Sequence, residues 1–363
     1  LNELFVYDFV NIMLKSSDNK SRSPGVAIVG GKYSLIGMNP NTRYCKYIHL
    51  AGVLVALLFS ASAAYAQQPQ ITFEKKADLP YRLTYAAYCN DGKYLYAANG
   101  LKNGTLYSTE LLRYDTDADK WEIFTNKLNA KINAVAAFVP ATHKIYIMGG
   151  NLADRRGFFY NIECVDTQTG AVSKLKVSNP AGAVNCGVAV WNNKIYIFGG
   201  FSEIGYPTRK IYEFDPATEK FTQLKYLPVT GNVKGAIVNG VLYTFGGRDV
   251  TSNNALKQVY AYDLSTQKYT LLAKLDQEIR EPAISQRGSY IFLTGDLNHN
   301  TFLGYFNTQT ATFTQLQSNM LGRQFTSTGI IGNMFYVYGG GLSASFPGMA
   351  STQATDVNQM VVQ

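Results

Sequence analysis

The side chains of this chain best suited to chemistry are arginines set among aromatics. Arg82, Arg155, Arg248, Arg280 and Arg323 stand between apolar runs, as do Lys131, Phe201, Tyr206 and Asp296. Guanidinium groups bind carboxylates bidentately, and aromatic rings add flat contact area. Gathered on one surface, such side chains suit a carboxylate or an acidic peptide. Metal and nucleophilic chemistry lack their parts. Beyond residue 66 the only histidines are His143 and His299, with no His-x-x-x-His spacing. No Ser-His-Asp ordering and no phosphate loop is present. No metal, cofactor or catalytic residue is therefore expected. Cys89, Cys164 and Cys186 follow no recognisable spacing. They read as small core residues, with a Cys164–Cys186 bridge left open should their strands face each other. The net charge of +8 is scattered over 363 residues, and no basic run points to nucleic acid.

The elements that must position these groups come from a repeated phrase, a short aromatic-rich run that stops at glycine. It reads Lys144-Ile-Tyr-Ile-Met-Gly-Gly150, Lys194-Ile-Tyr-Ile-Phe-Gly-Gly200 and Val241-Leu-Tyr-Thr-Phe-Gly-Gly247. Weaker copies end at Gly100, Asp296 and Gly340, so the period is near 50 residues. One such unit holds four strands. In the copy around Gly200 these are 183–191, 194–198, 209–214 and 220–226, with Asn192-Asn193 as a tight hairpin turn. Between the third and fourth strands an apolar residue precedes Asp or Asn, and another follows seven positions later. The pairs are Tyr114 and Trp121, Val165 and Val172, Phe214 and Phe221, Tyr262 and Tyr269, and Phe306 and Phe313. Asp and Asn suit this turn because their side chains cap its amides. The paired aromatics are expected to pack one sheet on the next. A four-stranded antiparallel meander repeated at this period is the content of a propeller blade.

These residues resemble the kelch repeat, in the form found in secreted bacterial proteins. The resemblance covers about residues 71–363 and is most complete in the three units with a full glycine doublet. It implies an all-β, six-bladed kelch-type β-propeller. The last unit is expected to end on a third strand at 356–362, one strand short. Ile71–Pro80 has the spacing of a fourth strand, so the N-terminal strand is expected to complete the last blade and close the ring. The resemblance also implies binding on the face made by the loops between second and third strands and by those entering the first strand. Arg82, Arg155, Phe201, Tyr206, Arg248, Arg280, Asp296 and Arg323 are the candidate ligand-binding residues there, with Lys131 among the cations. The expected function is a binding module for a glycan, peptide or protein partner. The alternative is a mutarotase- or epimerase-like carbohydrate enzyme that sets Glu203, Asp249 or Glu278 beside the arginines. The opposite face, with short turns and His143, is expected to be scaffold.

Upstream lies a second kind of segment. Met38 opens a stretch with Arg43 and Lys46, followed by the apolar run 50–59 and by Ala64-Tyr65-Ala66. This is the pattern of a secretory signal peptide, and the run is too short to span a bilayer, which takes about 20 residues. The expected organisation is an upstream segment at 1–37 outside the mature protein, a signal peptide at 38–66 and the propeller at 67–363. The product is expected to be a secreted or periplasmic monomer with no stable membrane span.

Overall fold

The computed structural model describes residues 26–29, 32–35, 70–153, 157–181, 184–202, 205–252, 254–343 and 347–361. The signal segment 38–66 and the candidates Arg155 and Glu203 lie outside the described residues. The chain divides into two compact units, residues 1–67 and 68–363. In the first, Val26–Val29 pairs antiparallel with Lys32–Leu35.

The second unit is almost wholly β. Among the described residues it forms six four-stranded antiparallel sheets. The first is Ala87–Asn90, Tyr94–Ala98, Leu111–Asp115 and Lys120–Thr125. The second is Val135–Val139, Lys144–Met148, Asn161–Asp166 and Val172–Ser178. The third is Gly187–Trp191, Lys194–Phe198, Ile211–Asp215 and Lys220–Gln223. The fourth is Thr230–Val238, Val241–Arg248, Leu256–Asp263 and Lys268–Ile279. The fifth is Ala283–Arg287, Tyr290–Thr294, Leu303–Asn307 and Thr312–Gln315. The sixth takes Ser327–Ile331, Met334–Tyr338 and Thr352–Asp356 from one end of the unit and Glu74–Lys76 from the other. Glu74 lies opposite Ala354 and Lys76 opposite Thr352. No helix among the described residues is long and apolar enough to cross a membrane.

The second strands explain why the repeat reads as a continuous apolar run. Ile195, Tyr196, Ile197 and Phe198 are all buried, so both faces of the strand are covered. Each core cluster draws on neighbouring sheets. Tyr146 and Ile162 of the second sheet pack with Ile195 and Phe214 of the third. The first strands touch in series from the first sheet to the sixth, and the sixth also touches the first.

All five spaced apolar pairs are direct cross-strand neighbours, Tyr114 opposite Trp121 and Phe214 opposite Phe221 among them. They therefore pack first within a sheet. Tyr114 and Trp121 also reach Tyr336 and Tyr338 of the sixth sheet, with ring centroids 5.7 and 5.1 Å apart. The last third strand is a correction: it occupies Thr352–Asp356, not 356–362. In every sheet this strand ends at the turn Asp or Asn, and here Asp356 goes on to cap a four-residue helix, Val357–Met360, by accepting the Asn358 N–H at 2.8 Å. Cys89, Cys164 and Cys186 are free thiols, the last two buried in one cluster.

Candidate functional site

In an antiparallel meander the second-to-third connection and the entry to the first strand share one end of the sheet. Those connections are long here and bonded to one another across sheets. The Gly100 N–H donates to Lys131 O at 3.0 Å, Gly200 N–H to Gly231 O at 2.7 Å, and Gly340 N–H to Leu83 O at 2.8 Å. The glycine doublet makes this approach possible. A Cβ on Gly200 would sit 2.6 Å from both Val184 O and Cys186 Sγ. In the first sheet Asn99 takes the left-handed place at φ 58°, and its amide donates to Ser108 O and Asn129 O.

The cations entering the first strands divide by register. A residue with positive φ stands two places before each first strand: Tyr85, Asn133, Asn185, Glu281 and Phe325, with Gly231 at the bulged start of the fourth sheet. Counting back two more places gives Leu83, Lys131, Val229, Ile279 and Arg323, and all five are buried. Lys131 forms a fully buried ion pair with Glu163, which also accepts both Asn129 N–H groups at 2.8 Å. Its ammonium lies 4.1 Å from the Phe159 ring centroid, and burial holds its pKa below the ordinary lysine range. Arg323 donates to Gly339 O and Ser351 O at 2.8 Å, to Ser351 Oγ at 3.0 Å and to Gln353 Oε1 at 2.9 Å. Burial lowers its pKa to about 10. Lys131 and Arg323 thus brace the interior and do not join a surface ring of cations. Arg82 and Arg280 stand one place off this register. Arg82 is exposed and Arg280 half-buried, with an Nε that has no protein partner among the described residues.

Asp296 also turns inward. It accepts the Arg280 N–H, the Asn298 N–H at 3.0 Å and His299 Nδ1 at 3.3 Å, and burial raises its pKa. It ties two loops together in place of the second glycine. Arg248 and Phe201 both flank Gly231, where a Cβ would lie 3.5 Å from the Phe201 ring and 3.7 Å from Arg248 Cδ. Tyr206 projects nearby, 68% exposed. The enzymatic arrangement is not formed by the described residues. Asp249 caps its own loop through Thr251, Ser252 and the Ser252 hydroxyl, and Glu278 is exposed on an outer strand.

The sequence reasoning missed what lies between the first strands. A cavity of about 390 Å³ is lined by residues at the first strand of each of the six sheets. At its loop end stand Tyr85, Asn133, Asn185, Lys234, Glu281 and Phe325. The rings of Tyr85 and Phe325 pack at a tilt of 38°, with centroids 4.3 Å apart. The left-handed backbone costs a side-chain-bearing residue about 1–2 kcal/mol. Asn accepts it readily, whereas Tyr, Phe and Glu do not. Lys234 donates to Asn185 O at 3.3 Å and Cys186 O at 2.8 Å. Asn232 donates to Glu281. Burial raises the pKa of Glu281 against the pull of Lys234, and lowers that of Lys234. The only signal in the sequence for this row is its place two residues before each first strand. Among the described residues no group of three or more His, Cys, Asp or Glu could hold a metal ion.

Comparison with known proteins points the same way as the sheets. The model of the KLHDC2/KLHL20/DRC7 Kelch-repeats domain matches residues 83–296. Kelch-like protein 25 of Xenopus tropicalis is 26% identical over 212 residues, 54% of this chain and 35% of that protein. Kelch-like protein 15 of Danio rerio is 27% identical over 214 residues, 52% of this chain and 34% of that protein. Kelch-like protein 23 of Homo sapiens is 24% identical over 191 residues, 52% and 32% respectively. The matched region spans about a third of the length of these relatives.

Proposed function

The chain belongs to the kelch-repeat family, and from that premise we propose that residues 68–363 form a six-bladed propeller, closed by Glu74–Lys76, that binds a protein partner at its long-loop end. One observation carries this reading. Outside the six four-stranded sheets the large exposed apolar side chains include Leu106, Tyr160, Tyr206, Val250 and Leu342, and each of these lies in a connection between a second and a third strand, at the long-loop end. The short turns themselves expose none among the described residues, although Tyr269, beside one of them on an outer strand, is 51% exposed. Exposed apolar side chains gathered on one face and rimmed by polar groups mark protein docking surfaces. Arg82, Arg248 and Arg280 rim the same end, so the segment bound is an acidic peptide with an apolar anchor.

The test is a fluorescence anisotropy titration of the full chain with peptides of alternating Glu and Leu or Phe, set against Lys-substituted controls. Tyr206→Ser combined with Arg82→Ala is expected to weaken acidic-peptide binding by about tenfold or more at an unchanged melting temperature. Equal binding of acidic and basic peptides would reject this reading. We further propose that the protein acts outside the cytoplasm after cleavage behind Ala66. Mass spectrometry of the product should then find Gln67 at the N-terminus, and peptides from residues 1–37 in it would rule this out.

A further inference from the structure

The cavity between the first strands carries hydrogen-bonding capacity that the fold does not use. Lys234 donates two of its three ammonium hydrogens, to Asn185 O and Cys186 O, and keeps one. Glu281 receives the Asn232 amide on one carboxylate oxygen, and its other oxygen has no protein partner among the described residues. The Tyr88 hydroxyl accepts the Ile284 N–H at 2.9 Å, which leaves its own hydrogen to donate. The side-chain amide of Asn185 likewise has no partner among the described residues. All four residues line the cavity.

The rest of the lining sets the chemistry of an occupant. Among the described residues that line the cavity, Lys234 and Glu281 are the only charged ones, one of each sign. A ligand with a net charge would meet no net complement there. The spare groups are both donors and acceptors, which suits hydroxyls, since a hydroxyl does both. The first and sixth sheets supply a different wall, the tilted ring pair of Tyr85 and Phe325. Both rings sit on backbone in the left-handed region, at φ 57° and 51°. Backbone strain of this kind clusters at ligand sites, where it fixes a side chain in place. The volume of about 390 Å³ falls at the small end of ligand pockets, which run from about 300 to 1,000 Å³.

We propose that the loop end of this cavity binds a neutral cyclic polyol, a monosaccharide in its ring form. Its apolar face lies on Tyr85 and Phe325, and its hydroxyls meet Lys234, Glu281, Asn185 and Tyr88. This site is separate from the peptide-binding rim, because Arg82 and Tyr206 do not line it.

The experiment is thermal shift and calorimetry on the full chain with glucose, galactose, mannose and myo-inositol, beside acetate and N-acetylneuraminate as anionic probes. At least one neutral probe should raise the melting temperature and bind saturably, while the anions do neither. Glu281→Gln should weaken that binding about tenfold, as loss of a charge-assisted hydrogen bond does. Tyr85→Asn keeps a residue type that accepts the left-handed backbone and removes the ring. It should leave the unliganded melting temperature equal or higher yet weaken the sugar about tenfold. Arg82→Ala with Tyr206→Ser should leave sugar binding unchanged, which separates this test from that of the peptide face. Binding of no neutral probe, tighter binding of an anion, or wild-type affinity in Tyr85→Asn would overturn the proposal.

Discussion

At the short-turn end, Asp115, Asp166, Asp215, Asp263 and Asn307 each accept the backbone N–H two residues ahead. Their polar capacity is used within four residues of sequence. At the long-loop end the polar side chains reach further. Glu163 reaches Asn129 and Lys131, and Arg323 reaches Ser351 and Gln353. The capping of the short turns is thus local, although Asp119 and Gln267 at the same end also accept the N–H groups of Ala77 and Lys225. The long-loop end is held by contacts between loops, and its long connections expose apolar side chains. The repeat is the same at both ends. The contrast teaches that variation is tolerated where the connection does not have to close its own turn, and that a binding surface is built there.

The contrast is broken or sharpened most strongly at the buried ion pair. Glu163→Gln leaves Lys131 charged in the interior without its counter-ion and should cost about 3–5 kcal/mol in urea denaturation. A cost under about 1 kcal/mol would mean that the long-loop end is not held from inside. The short-turn end should respond to acid instead. Thr266 N–H and the Ser265 hydroxyl hold the Asp263 carboxyl down at about 2. The unfolded value is about 3.9, so this contribution is intact above that pH and is lost as pH falls towards 2. Melting temperature measured from pH 5 to pH 2 should fall less steeply in Asp263→Ala than in the parent. The smallest effect belongs to Arg82→Ala. With its side chain exposed, the change should alter stability by less than about 0.5 kcal/mol. A larger loss would show Arg82 to be part of the brace and not of the rim.

Much of the sheet architecture was legible because its signals are local. Strands such as Lys194–Phe198 coincide with their apolar runs, and Asn192-Asn193 forms the hairpin turn with both residues at positive φ. The one misplaced strand broke a local rule that was already visible, since Asp356 occupies the position at which every other third strand ends. The site was less legible, for a reason of parity. Arg82, Lys131, Arg280 and Arg323 look alike in sequence. A shift of one place along an extended segment turns a side chain from solvent to interior, and it puts Lys131 and Arg323 inside. The cavity row was silent because Tyr, Phe and Glu carry no mark of a left-handed backbone. Only the fold imposes that conformation on them.

The pairing of Glu74–Lys76 with Thr352–Asp356 also governs the order of events during synthesis. Five sheets are each made from one continuous stretch of chain and are able to form as that stretch leaves the ribosome. The sixth cannot. Its partners include Phe73 with Asn319, 246 positions apart, and Trp121 with Thr352, 231 apart. Until Asn319 to Asp356 has emerged, Glu74–Lys76 and the Trp121 face wait uncovered, a delay during which a holding chaperone has most to protect.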